Sequence, residues 1–312
     1  MNQPTDRQPD RQVVASVLAT GQQMSRDQRR GRYTPASMRH PGKMLPAIAR
    51  HVICAYTRPG ELVADPMFGI GTTLVEAIHL GRDAIGVEIE GTFTHLAIGN
   101  LLLAQSQGAT GTAKVCNGDG RAIGALFPER RGQVALVLTS PPYGKHTHGH
   151  VRPDSPTLGG KVEKSNFRYT RPGERRSANL ADQPLDGLLG GFGYILGASA
   201  ALLRPGGIVA VTVRPIRIQG TLVDLPGRVI AVAEEYGLTL VDRRAALLTA
   251  VRGGGLVTRA SFFQLLETRR ARGRGLPACA TAHEDLLIFQ PVTDLDSPPA
   301  PAPVPGRDGG HR

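Results

Sequence analysis

"DPMFGIGTTLVEA" occupies residues 65–77, directly after the apolar run "LVA" at residues 62–64. Together they read as a short strand, a tight glycine turn and the start of a helix. Gly69 and Gly71 let the backbone turn sharply and approach a ligand without a side chain in the way. Thr72 and Thr73 open the helix, so its unpaired N–H groups face the turn. A nucleotide can sit against such a turn. The spacing is not G-x-x-x-x-G-K-[ST], which excludes a phosphate-gripping P-loop, and the third glycine of the dinucleotide fingerprint is absent. On its own the glycine pair also fits an ordinary turn.

Outward from this stretch, strands and helices alternate. "RDAIGVEIE", "AKVCNGD", "QVALVLTS" and "IVAVTVRPI" read as strands, and "FTHLAIGNLLLAQSQG", "LLGGFGYILGASAALLRPGG" and "LPGRVIAVAEEYG" as helices. Alternation of this kind predicts parallel pairing with helices on both sheet faces. The unbroken Val/Ile/Leu strands agree, because a parallel sheet is buried on both faces. "LTLVDRRAALL" and "DLLIFQP" close the series with no helix expected between them. The expected fold is therefore an α/β, mostly parallel, doubly wound sheet with an antiparallel edge hairpin.

The chain has 312 residues, 40% hydrophobic and 20% charged, enough for one large core without disulfides or metals. Residues 1–35 are polar and aperiodic and are expected to form a disordered arm. Residues 36–291 form the expected domain, and residues 292–312 a proline-rich, extended tail. The first residues, "MNQPTDRQPDRQ", lack the apolar core of a signal peptide, and no segment reads as a membrane span. Three dispersed cysteines, Cys54, Cys116 and Cys279, argue against a disulfide framework or zinc site and for a cytoplasmic setting. The net charge is +11 and the pI about 10.2, which favours a polyanionic partner.

In an open parallel sheet, ligands bind at the carboxyl ends of strands. Three successive strands end in an acid there: Asp65, Glu88 in "GVEIE", and Asp119 in "NGDGR". Glu88 lies about twenty residues beyond the loop, where a carboxylate accepts from ribose hydroxyls. Asp119 can accept from an adenine amino group. Three such acids suit a ligand with a ribose, an adenine and a cationic centre, and no phosphates.

"DPMFGIGTT", "GVEIE", "GDGR" and "TSPPYG", in that order, resemble the S-adenosylmethionine-dependent amino-methyltransferases, above all the bacterial DNA methyltransferases acting on cytosine N4 or adenine N6. "RHPGKMLP", residues 39–46, is similar to the family's His-Pro-x-Lys-Met-Pro segment, and "LLRPGGIVAVTV" and "AHEDLLIF" to later segments. The resemblance covers roughly residues 39–290 and implies a Rossmann-like methyltransferase fold with S-adenosylmethionine as cofactor. By it, Lys43 helps close the methionine end of the pocket, and Asp65, Phe68, Gly69, Gly71, Thr72, Thr73, Glu88 and Asp119 bind the cofactor. The family's loop usually has phenylalanine and serine where Met67 and Ile70 stand here.

Ser140, Pro141, Pro142 and Tyr143 are the expected catalytic residues. A ring amine is a poor nucleophile because its lone pair is delocalised, and fixed acceptors must draw it toward tetrahedral geometry. The Pro141 carbonyl is held by its neighbouring rings and the Ser140 hydroxyl offers a second acceptor. Tyr143 provides a flat face for an extruded base. By resemblance, Ser-Pro-Pro-Tyr points to cytosine N4. DNA is the expected partner and tRNA the alternative, because tRNA guanine-N2 methyltransferases share the motif order; a restriction enzyme as partner is left open. A rival of another class is a catalytically inactive DNA-binding module. His146, His148 and His150 alternate without a convincing fourth metal ligand. Residues 145–185, with Phe167 and Tyr169 among Lys and Arg, and residues 252–282, with "TRRARGRG", are candidate nucleic-acid-contacting insertions.

Overall fold

The computed structural model describes residues 15–40, 42–143, 179–218, 221–259 and 262–292. Its strands are β1 (Val17–Leu18), β2 (Leu62–Asp65), β3 (Asp83–Glu88), β4 (Ala113–Asn117), β5 (Val134–Thr139), β6 (Leu203–Val213), β7 (Ile216–Ile218), β8 (Thr221–Val223), β9 (Leu238–Leu247), β10 (Ala250–Arg252), β11 (Gly255–Val257) and β12 (His283–Pro291). The α-helices are α1 (Ser25–Arg29), α2 (Pro46–Tyr56), α3 (Thr72–His79), α4 (Gly91–Ser106), α5 (Ile123–Leu126), α6 (Leu185–Ala200), α7 (Leu225–Glu235) and α8 (Phe262–Gly273). Eight strands form one sheet in the order β1-β9-β12-β6-β5-β2-β3-β4.

Every residue of β2 and β5 is buried, as a strand covered on both faces requires. Successive side chains divide between the faces. Ile208, Ala210, Leu286 and Ile288 pack with α2, α3 and α4; Val209, Val211, Leu287 and Phe289 pack with α6 and α7. The five strands β6, β5, β2, β3 and β4 run parallel to one another, and the direction of winding reverses between β2 and β5. That reversal opens a crevice at their carboxyl ends.

The mostly parallel fold holds, and β9 and β12 form the expected antiparallel pair; two details on the far side of the sheet differ. β12 is antiparallel to both β6 and β9 and lies between them, so it is an interior strand. The edge belongs to β1, which pairs in parallel with β9 through Val17 and Leu18. Helix α8 and the β10–β11 hairpin also stand between β9 and β12. Exposed arginines dominate the last turns of α8, and Ala271 is buried there, so its sequence carries little apolar periodicity.

The disordered arm expected over residues 1–35 is also corrected for its described part. Residues 15–35 contribute β1 and α1 and pack on the domain. Leu18 and Tyr33 join the apolar core, and much of the remaining burial is polar. Glu76 on α3 is fully buried and accepts from Arg32 Nε and Nη2 at 2.9 and 2.7 Å and from the Tyr33 hydroxyl at 2.8 Å. Arg29, also buried, donates to Thr72 Oγ1 at 3.3 Å and to the Met44 carbonyl. A polar sequence hides such a segment because the residues that satisfy it lie far along the chain. The three histidines at 146, 148 and 150, residues 145–178 of the first insertion and residues 293–312 lie outside the described residues. Among the described residues, no helix is long and apolar enough to cross a membrane.

Candidate active site

The site begins where β2 ends. Asp65 is buried, and its Oδ1 accepts from Met67 N at 3.1 Å and from Thr139 Oγ1 at 3.0 Å. The second of these bonds crosses from β2 to β5, tying the first acid to the strand that carries Ser140. Gly69 and Gly71 have φ of 55° and 79°, in the left-handed region where a side chain is strained. Asn100 on α4 holds the turn through the Ile70 carbonyl at 2.9 Å, while its own oxygen accepts from Thr34 N and Oγ1. The residues expected to be disordered thus brace the glycine loop.

Glu88, at the end of β3, points back under this turn. Its Oε2 accepts from Gly69 N at 2.8 Å and its Oε1 from Glu90 N at 2.9 Å. Burial raises its pKa to about 7, although the two backbone donors oppose the shift. Burial likewise lifts Asp65 to about 6 against the hydrogen bonds it accepts. Both acids are thus held above the ordinary carboxylate range, and a cation or further donors would favour their ionised forms. Gly120, after Asp119, is needed for close approach, since a Cβ there would lie 2.4 Å from the Pro66 carbonyl.

Around these acids stand His40, whose ring is 4.2 Å from that of Phe93, and Lys43. The Lys43 ammonium donates to the Met38 and His40 carbonyls, and burial followed by the nearby Arg29 charge lowers its pKa to about 8. Asp119 is clasped by Arg121, with Nη2 to Oδ2 at 2.5 Å and Nε to Oδ1 at 3.0 Å. Its expected acceptance from an adenine amine must therefore use the lone pairs that Arg121 leaves.

Opposite, β5 stops at Thr139 and Ser140–Tyr143 forms the other wall. Pro141 is buried, Tyr143 packs against the α6–α7 core, and the Arg214 guanidinium lies 5.2 Å from the centre of the tyrosine ring. One cavity of about 610 Å³ joins both walls. It is lined by Lys43, Asp65, Phe68, Gly69, Thr72, Thr73, Glu88, Asp119, Ser140, Pro141, Pro142 and Tyr143. Of the expected site residues only Gly71 stays off the surface, at the start of α3.

Several lining residues were not anticipated. Glu90 is buried and accepts from Asn179 Nδ2 at 2.9 Å. It was legible as the second acid of "GVEIE", whereas Asn179 carries no local signal. Arg214 and Glu284 also line the cavity, from the residues just after β6 and at the start of β12. Their contribution depends on β12 lying beside β6, which the local pattern does not reveal.

The family model described as DNA methylase (N6_N4_Mtase) matches residues 5–98. The chain resembles the N6/N4 DNA methylases. Over 115 residues it is 34% identical to a tRNA (guanine(10)-N2)-dimethyltransferase of Methanocaldococcus jannaschii, covering 35% of this chain and 31% of that protein. Over 76 residues it is 36% identical to the DNA adenine methyltransferase YhdJ of Escherichia coli, covering 24% of this chain and 26% of YhdJ. The matches thus span less than one third of either relative. TrmN from Thermus thermophilus, a solved structure, aligns with a TM-score of 0.46 at 17% identity over 85% of this chain and 53% of TrmN.

The resembled family uses S-adenosylmethionine. The residues present fit that group. Glu88 and Asp65 keep acceptor capacity after their backbone bonds, since a carboxylate offers about four lone-pair sites. The loop presents two glycines at close range, and the surrounding acids favour a cation over a phosphate.

Proposed function

We propose that the protein is an S-adenosylmethionine-dependent methyltransferase that modifies an exocyclic amine of a DNA base, cytosine N4 by the form of its Ser140–Tyr143 motif. The observation that carries this reading is the single cavity shared by the glycine turn with its acids and by the diproline corner. When bound, S-adenosylmethionine supplies an electrophilic methyl group on a sulfonium sulfur. Glu88 accepts from the ribose hydroxyls, Asp119 from the adenine, and Lys43 closes the opposite end. Pro141 O and Ser140 Oγ hold the amine hydrogens so that the nitrogen lone pair is directed along the transfer axis. Tyr143 stacks on the extruded base. Much of the rate then comes from placing the amine in line with the methyl group.

Exposed arginines near the cavity support a nucleic-acid partner. Helix α8 begins next to Gln264, which lines the cavity, and carries exposed Arg269, Arg270 and Arg272, with Arg274 just beyond. A second reading, guanine N2 of tRNA, is favoured by the motif order and by the similarity to the tRNA dimethyltransferase.

The test incubates purified protein with labelled S-adenosylmethionine and either genomic DNA or tRNA, followed by mass spectrometry of the nucleosides. N4-methylcytosine in DNA is the expected product. N2-methylguanine in tRNA alone selects the second reading. Nucleic-acid binding without transfer to any substrate selects a catalytically inactive binding module.

A further inference from the structure

The far end of the cavity contains polar groups that the proposed chemistry leaves unused. β6 is the parallel neighbour of β5, so Arg214, which follows Val213, lies beside the diproline corner. β12 begins beside it, with Asp285 paired to Val213, which brings Glu284 to the same rim. Asp285, turned to the other side of the strand, is paired with Arg243 at 2.8 Å. Glu284 has no hydrogen bond or ion pair among the described residues, and Arg214 has only the tyrosine ring and the longer-range attraction of Glu284. Thr212 and Thr249, at the same wall, have buried hydroxyls with no partner.

A carboxyl without a partner, lining the cavity beside the wall proposed to hold the base amine, is placed to meet the base. We propose that Glu284 reads the target base by donating a hydrogen bond from its carboxyl group to the ring nitrogen beside the reacting amine, with Arg214 and Tyr143 forming the adjoining wall. This rests on the base-amine reading above and goes further, because it assigns the edge by which the base is chosen. Cytosine N3 and adenine N1 are acceptors and need a donor; guanine N1 carries a hydrogen and needs an acceptor. Burial raises the Glu284 pKa, with Arg214 opposing and Asp285 adding, which favours the neutral donor form. An arriving base excludes the remaining water and offers an acceptor, and both effects act in the same direction.

Glu284→Ala and Glu284→Gln separate the alternatives, because an amide keeps a donor while alanine keeps nothing. Methyl transfer to nucleic acid and cofactor affinity by calorimetry are measured for both and for the wild type. We expect Glu284→Ala to lower kcat/KM about 10- to 100-fold. Glu284→Gln should stay within about threefold of wild type, the hydrogen bond being kept. Cofactor affinity should be unchanged in both variants, which also reports that they fold. Equal losses in both variants would show that the charged carboxylate is required and overturn the neutral-donor assignment. No loss in either would remove it from the base. A wild-type protein that binds cofactor and methylates no nucleic acid would end the parent reading, and this one with it.

Discussion

Glu76 on α3 and Glu284 on β12 are both carboxyls drawn away from water, yet their surroundings are opposite. Glu76 is saturated: Arg32 grips both of its oxygens, Tyr33 adds a third bond and Arg50 stands at 3.6 Å. The Glu284 carboxyl has the Arg214 counter-charge and no hydrogen bond among the described residues. An acid whose capacity is consumed by the protein is part of the frame. One that keeps its capacity at a cavity wall is kept for something that enters. The two halves of the cavity divide in a similar way, with Asp65 and Glu88 fixed by backbone donors and the base side left open.

The largest effect should come from breaking the saturated acid. Glu76→Ala strands Arg32 and Tyr33 against α3 without their acceptor. Removing one partner of a buried ion pair costs about 3–5 kcal/mol. Urea denaturation should show a loss of that order, whereas Glu284→Ala should leave the midpoint near wild type. Comparable losses in both would erase the distinction between the two carboxyls.

Glu88→Ala comes next. It removes the proposed ribose acceptor and also leaves Gly69 N and Glu90 N without theirs. With charge-assisted bonds contributing roughly 1.5–3 kcal/mol each, cofactor affinity should fall by about two orders of magnitude or more in calorimetry. Tyr143→Ala should act on the other half. Loss of one base–aromatic stack, about 1–3 kcal/mol, should cut turnover roughly 10- to 100-fold while cofactor affinity stays put. Equal loss of turnover and affinity would contradict the division of labour.

The sequence made one of these halves legible and mostly hid the other. β2, β3 and β5 announce themselves because burial on both faces forces unbroken apolar runs, and each ends in a polar residue that must lie at the ligand edge. Gly69 and Gly71 are visible for a similar reason, since a left-handed backbone demands glycine. Glu284 and Arg214 act only through the pairing of β12 with β6, which no local periodicity encodes. Arg29, Arg32 and Tyr33 read as a solvated arm because Thr72 and Glu76, which they meet on α3, stand more than forty residues away. Buried polar networks leave no apolar pattern, so polarity alone is a poor guide to disorder at either end of this cavity.

The raised acids give the cofactor half a pH signature. Asp65, at about 6 against an ordinary 3.8, and Glu88, at about 7 against 4.5, hold protons more tightly in the folded state. Their contribution to folding is therefore fully present below the unfolded values and is lost as pH rises through about 6 to 7. Stability of the ligand-free protein should fall across that window. Cofactor binding should run the other way, because ribose donors and a sulfonium favour the carboxylates. Calorimetry in buffers of differing ionisation enthalpy should find proton release on binding near pH 6.5, with affinity rising about tenfold from pH 5.5 to 7.5. A flat profile would mean that the ligand does not meet these acids.

Asp119→Ala should give the smallest change. Arg121 already occupies both carboxylate oxygens from the backbone and the guanidinium, and Asp119 is the most accessible of the three strand-end acids. A bond to the adenine amine must share those oxygens and compete with water, so its net contribution is about 0.5–1.5 kcal/mol, or roughly 2- to 10-fold in affinity. Restoring a short acceptor with Asp119→Asn should recover part of the loss, although Arg121 would lose its counter-charge. Selectivity should shift too: discrimination between S-adenosylmethionine and an analogue lacking the adenine amino group should shrink in Asp119→Ala. If discrimination is unchanged, the amine is met elsewhere along the wall. Glu90, held by Asn179 on the same side of the cavity, would then be the acid to substitute next.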